Sequence, residues 1–156
     1  MTRTRIWFAA ALVGIGGTFL ATAHSQPLRK ATPRLEPVAE TKLLMEGMAD
    51  PNTKALGKLL ANKPKDAEGW AFARGQALLL AETGNLLLMR PPKARAGEDA
   101  WLTHAADLRE NATTLARAAG AKDYLQARTA LAGVANACNR CHQSFRVAVR
   151  VDPFAE

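Results

Sequence analysis

The stretch that most constrains this chain is Cys138-Asn139-Arg140-Cys141-His142, close to its C-terminus. Two thiols separated by two residues, with an imidazole directly after the second, is the spacing of c-type haem attachment. Each thiol can add across one porphyrin vinyl group to form a thioether, and the adjacent histidine can then ligate the iron as its proximal base. On a helix, Cys138, Cys141 and His142 fall at i, i+3 and i+4 and project from one face. The motif therefore asks for a helix here, and the flanking sequence supplies one.

Two rival uses of the same residues are possible. A redox disulfide of the CxxC type sits near a strand-to-helix turn, and no strand pattern precedes this one. A structural zinc site needs further thiol or imidazole ligands. The chain has no other cysteine, and its other histidines are His24 and His104. Haem attachment is the better account of the pair.

The N-terminus points the same way. Arg3 and Arg5 precede an apolar run from Ile6 to about Ala21, and Ala21-Thr22-Ala23 is a small-x-small cleavage pattern. Residues 1–23 read as a cleaved secretory signal peptide, with cleavage after Ala23 and Ser25 as the alternative position; an uncleaved N-terminal anchor is the other reading of the same run. The run is short for a membrane span and carries Gly14, Gly16 and Gly17, so no stable membrane insertion is expected after cleavage. Export to the periplasm suits a cysteine pair that takes haem outside the cytoplasmic membrane. The formal net charge is +7, which becomes +5 once Arg3 and Arg5 are removed. A moderately basic exported domain can dock on acidic redox partner proteins, although a plain solvated surface explains the charge as well. Nucleic-acid binding is disfavoured by the export signal and by the lack of a basic run interleaved with aromatics.

Beyond the signal, residues 24–36 carry Pro27, Pro33 and several charges with little apolar content, a linker composition. A domain over 37–150 follows, with 151–156 as a tail. Pro37 is placed for a first helical turn, and Val38, Thr41, Met45 and Met48 recur at spacings of three and four. Asp50-Pro51 should stop or kink this first helix, with a shorter helical piece resuming through Leu60. Asp66 is the expected N-cap of a second helix striped by Trp70, Ala73, Ala77, Leu80, Gly84 and Leu87. It ends at Arg90-Pro91-Pro92-Lys93. In the third, Trp101, Ala105, Leu108, Ala112, Leu115 and Ala119 make a heptad seam, with Gly120 as the stop. Asp123 and Gln126 fit a capping box for the fourth, whose stripe runs Tyr124, Ala127, Leu131, Val134, Cys138, Cys141 and Phe145. The Val147, Val149, Val151 alternation suggests an extended end, and Asp152-Pro153 is expected to close the ordered part. Four amphipathic segments on short connections predict an all-α fold, an antiparallel four-helix bundle. Many core positions are alanine, so covalently bound haem near the C-terminal helix is expected to fill part of the interior, leaving the haem-free chain less stable.

With its attachment motif on the last helix of a bundle, the chain resembles the cytochrome c prime family, including its low-spin methionine-ligated relatives, over roughly 37–149. The specific part is Cys138 to Arg146, which is similar to the family's CxxCH followed by an aromatic and an arginine. The resemblance implies one haem c attached through Cys138 and Cys141, with His142 as proximal ligand and Arg146 in the proximal pocket. A helical i+4 spacing from His142 would also bring Arg146 near it. Phe145, at i+4 from Cys141, is expected on the porphyrin edge or in plain core. The family places its distal residue on the first helix, where Met45 corresponds to it and Met48 is second. A thioether there would favour six-coordinate, low-spin iron suited to electron transfer. Many family members carry an arginine one turn before that position, where this chain has Thr41, with Lys42 as a substitute. His104 is expected to be structural or exposed.

The resulting expectation is a periplasmic mono-haem c-type electron carrier, not an enzyme, since no constellation of acid, base and nucleophile is visible. The alternative is a five-coordinate haem protein that binds nitric oxide or carbon monoxide, as a sensor or buffer. A haem-bearing subunit of a larger redox complex is the third reading. A homodimer through the first two helices is left open.

Overall fold

Apolar stripes of helical period, separated by short polar breaks, dictate the architecture. In the computed structural model, residues 34–93 and 96–155 are described. The expected signal peptide and most of the linker lie outside them. The elements are α1 (Thr41–Leu44), a π-helical segment (Met45–Ala49), α2 (Asp50–Ala61), α3 (Ala67–Leu88), α4 (Glu98–Gly120) and α5 (Tyr124–Ser144). The first three run on without a break, because the backbone at Met45, Ala49 and Asp50 stays right-handed helical. The described residues therefore form four helical rods.

Cross-links at both ends make the rods antiparallel. The Tyr124 hydroxyl, at the start of α5, lies 3.3 Å from the Leu60 carbonyl at the end of α2. Trp101 Nε1, at the start of α4, donates at 2.8 Å to the Leu87 carbonyl at the end of α3. Packing is closest between α3 and α4 and between α4 and α5, while α2 lies against both α3 and α5. This is the antiparallel four-helix bundle expected from the stripes. The α3–α4 approach needs Gly84, since a Cβ there would meet the Arg109 backbone nitrogen at 2.8 Å.

The predicted N-caps are in place. Asp66 accepts from the Gly69 N–H at 2.7 Å and Asp123 from the Gln126 N–H at 3.0 Å. The stops differ in detail. Gly120 remains helical, and Lys122 takes the left-handed position with φ 56°. Lys122 N–H reaches the Ala119 carbonyl and Asp123 N–H the Ala118 carbonyl, each at 3.0 Å, which is a Schellman closure. Asp123 must both close this helix and cap the next, which places the left-handed residue immediately before it.

The first rod departs most from expectation. Pro37 and Val38 lie in an extended lead-in and Val38 is 97% exposed, so neither belongs to the helix, which starts at Thr41. Pro51 does not stop the helix. It sits in the first turn of α2, where its missing N–H is tolerated. The disturbance lies just upstream, where the Asp50 N–H bonds five residues back to the Met45 carbonyl. The buried positions Leu44 and Ala49 are five apart, after which Asn52, Thr53, Leu56 and Leu60 resume spacings of three and four. The wide turn thus lets both halves of the rod face one core across the proline. Thr53 Oγ1 and Asn52 Nδ2 each donate at 2.7 Å to the Ala49 and Met48 carbonyls, so these two buried polar side chains are satisfied locally.

Candidate functional site

The seam of α5 carries the motif directly. Ala127, Leu131 and Val134 are buried, and the same stripe continues into Cys138 and Cys141, which are half-buried. Both cysteines are free thiols. Burial pushes the Cys138 thiol up to about 11, the neighbouring Cys141 adds to the effect, and a backbone hydrogen bond opposes it. Burial also raises Cys141. A redox CxxC pair requires a thiol that ionises easily, and this environment does the reverse. The zinc alternative lacks its donors, because no cluster of three or more His, Cys, Asp or Glu able to hold a metal occurs among the described residues.

His142 is held through one ring nitrogen, and among the described residues the other has no hydrogen-bond partner. Its Nδ1 lies 2.8 Å from the Val149 carbonyl oxygen. A carbonyl can only accept, so Nδ1 carries the proton and the neutral ring has its lone pair on Nε2. This is the arrangement in which a second-shell acceptor sets the tautomer of a metal-binding imidazole. Free thiols at i and i+3, an Nε2 lone pair at i+4 and half-buried surroundings fit a covalently held haem.

The helix ends just after the motif. Val147 N–H donates to the His142 carbonyl at 2.8 Å and Arg146 N–H to the Gln143 carbonyl at 3.3 Å, with Arg146 left-handed at φ 56°. The i+4 helical geometry from His142 therefore does not extend to Arg146, which is exposed beyond the last turn. Phe145 packs edge-on against Trp101, with ring centroids 5.2 Å apart, and against His104 at 6.2 Å. His104 braces the same corner. Ser144 Oγ donates to the Arg140 carbonyl at 3.0 Å and so accepts from His104 Nε2 at 2.9 Å. Its Nδ1 is buried without a partner.

Met45 reaches this end of the bundle from the first rod. The Arg90 guanidinium, beyond α3, bonds the Ala39 carbonyl at 3.0 Å, while Trp101 joins the end of α3 to Phe145. Antiparallel register agrees. Counting from the Leu60–Tyr124 link, about 22 Å of helix leads back to Met45 and on to Asn139 at 1.5 Å per residue. Met45 and Met48 are half-buried and pack against the core, as do Leu86, Leu88, Trp101 and Cys138.

Residues 96–146 match the family model for cytochrome c'. Over this third of the chain the sequence is similar to the cytochrome c' family. Comparison with curated proteins and with solved structures returned no match. The matched span covers α4 and α5, and so includes the whole CxxCH motif together with Trp101, His104 and Phe145 that brace it. Members of the cytochrome c' family carry covalently bound haem c and are typically exported. Among the described residues no helix is long and apolar enough to cross a membrane.

Three contributors to the site carry little sequence signal: the Val149 carbonyl, Asn139, whose side chain bonds Val151, and Gly57, against which Pro153 is seated. A backbone acceptor has no residue-type signature. The only available hints were an asparagine inside the motif and an otherwise unexplained glycine within a helix.

Proposed function

We propose that this chain is a cytochrome c' family member acting as a periplasmic mono-haem electron carrier and not an enzyme. Haem would be held through Cys138 and Cys141, with His142 as proximal ligand and Met45 as sixth ligand. One CxxCH motif supports one haem. When bound, the haem supplies a one-electron ferric–ferrous couple. The role of the chain is to attach it, hold its axial bases and limit water access. The observation that carries the reading is the His142 Nδ1 to Val149 carbonyl bond, which leaves Nε2 as the ligating atom. Met45 is supported by its position at the level of the motif and by the softness of its thioether. Partners would be redox proteins with acidic docking faces, given the formal net charge of +5 that remains without Arg3 and Arg5. Phe145 and Arg146 would act at the edge of the site, Phe145 through Trp101 and His104.

The test is the optical and electron paramagnetic resonance spectrum of the purified holoprotein beside Met45→Ala. Low-spin iron that turns high-spin in the variant is the expected result. High-spin iron already in the wild type would overturn Met45 ligation and favour the gas-binding alternative.

A further inference from the structure

The segment after α5 is anchored at every few residues. Val149 holds His142 through its carbonyl at 2.8 Å. Two residues on, Val151 makes a reciprocal pair with the Asn139 side chain: Asn139 Nδ2 donates to the Val151 carbonyl, and Val151 N–H donates to Asn139 Oδ1, both at 2.8 Å. Pro153 then lies against α2 at Gly57, where a Cβ would overlap the Pro153 carbonyl. Finally the Phe154 ring packs against the core, with the Arg128 guanidinium 4.2 Å from its centre. That guanidinium is itself fixed, because it donates to the Leu60 carbonyl at 2.6 Å and the Ala61 carbonyl at 3.2 Å. The chain thus doubles back along α5 and is pinned to α2, beyond the span that matches the family.

We propose that Val147–Phe154 is a strap that positions the proximal base: it holds the Val149 carbonyl on His142 Nδ1, sets the tautomer and ring orientation, and strengthens Nε2 as a donor to iron. This rests on the reading of His142 as haem ligand. A carbonyl accepting the Nδ1 proton makes the imidazole more basic, which favours the ferric state. Val149 is a positioning residue through its backbone, so its side chain is immaterial. The side chains that matter are Asn139 and Phe154, together with the lack of one at Gly57. Such outer-shell partners typically alter ligation by about 10–100-fold when removed.

Two variants displace the strap without touching a ligand: Gly57→Ala, which drives Pro153 off α2, and a chain ending at Ala148, which keeps the Val147 closure of α5 but removes Val149. In the holoprotein, both are expected to shift the ferric–ferrous equilibrium toward ferrous by about tenfold, ~59 mV for a one-electron couple. Both should also speed solvent exchange of the His142 Nδ1 proton, read by NMR. Thermal stability is recorded alongside. Lower stability with unchanged potential and unchanged Nδ1 exchange would reduce the strap to a structural role and overturn the proposal. If either variant does not fold, the other carries the test, and Phe154→Ala gives a milder third. Wild-type protein that carries no haem on Cys138 and Cys141 would instead defeat the parent reading. Wild type loaded normally, with variants identical to it in both readouts, would defeat the strap alone.

Discussion

The two ends of the bundle are built to different standards. Around the α2–α3 and α4–α5 turns the interior is closed: Leu56, Leu60, Leu115 and Leu131 are all at 0% exposure. At the motif end Met45, Met48, Trp101, Cys138 and Cys141 are only half-buried, although they continue the same stripes. The secondary structure differs likewise. The closed end has regular helices with side-chain caps at Asp66 and Asp123. The open end has the π-helical turn at Met45–Ala49. Side chains complete the first end, whereas at the second the stripes are left half-covered, as the proposed haem would require. A bundle whose core contains so many alanines gains most stability where its leucines interlock.

The largest expected effect tests this contrast directly. Leu131→Ala should cost about 2–5 kcal/mol, because it opens a cavity in a region that is already closed. Met48→Ala, at the open end of the haem-free chain, should cost less than half as much by chemical denaturation. Equal losses would break the comparison. Next, Gly84→Ala forces α3 and α4 apart between the two ends and should cost about 1–3 kcal/mol, visible as a lower thermal midpoint. A null result would mean that the helices can slide.

The pH dependence sharpens the comparison at the open end. In the haem-free chain Cys138 is raised from 9.0 to about 11, so the folded state holds that proton more tightly than the unfolded state. Its contribution to stability is therefore complete below about pH 9 and is lost as pH rises toward 11. Denaturation midpoints of wild type and Cys138→Ser across that window should converge. Midpoints that run parallel would show Cys138 to be better solvated than its position implies. The smallest effect belongs to the caps: Asp123→Ala should lower stability by about 1 kcal/mol, with and without haem, by loss of the bond to Gln126 N–H.

Most of the fold is legible in local chemistry. The seam from Ala105 to Ala119 repeats at three and four residues, and a helix can bury that seam only against other helices. Asp66 and Asp123 mark their helix starts because a carboxylate beside free N–H groups satisfies them wherever the rest of the chain lies. The first rod is less legible. Pro51 signals a break, but whether the chain stops, kinks or inserts a wide turn depends on whether both Leu44 and Leu56 must reach one core, which is a tertiary demand. Val38 had the right spacing but no neighbouring helix to cover it.

The site divides in the same way. The sequence by itself determined the geometry of the motif, because two thiols and an imidazole at i, i+3 and i+4 share one face on any helix. It also determined the bundle, through stripes whose period is a local property. Only the tertiary structure decided how His142 is held. The Val149 carbonyl meets the ring because the chain turns back after Arg146, pairs with Asn139 and seats Pro153 where Gly57 leaves space. Hydrogen-bond acceptors on the backbone are common to every residue, so their selection is a matter of where the chain goes and not of which residue it contains.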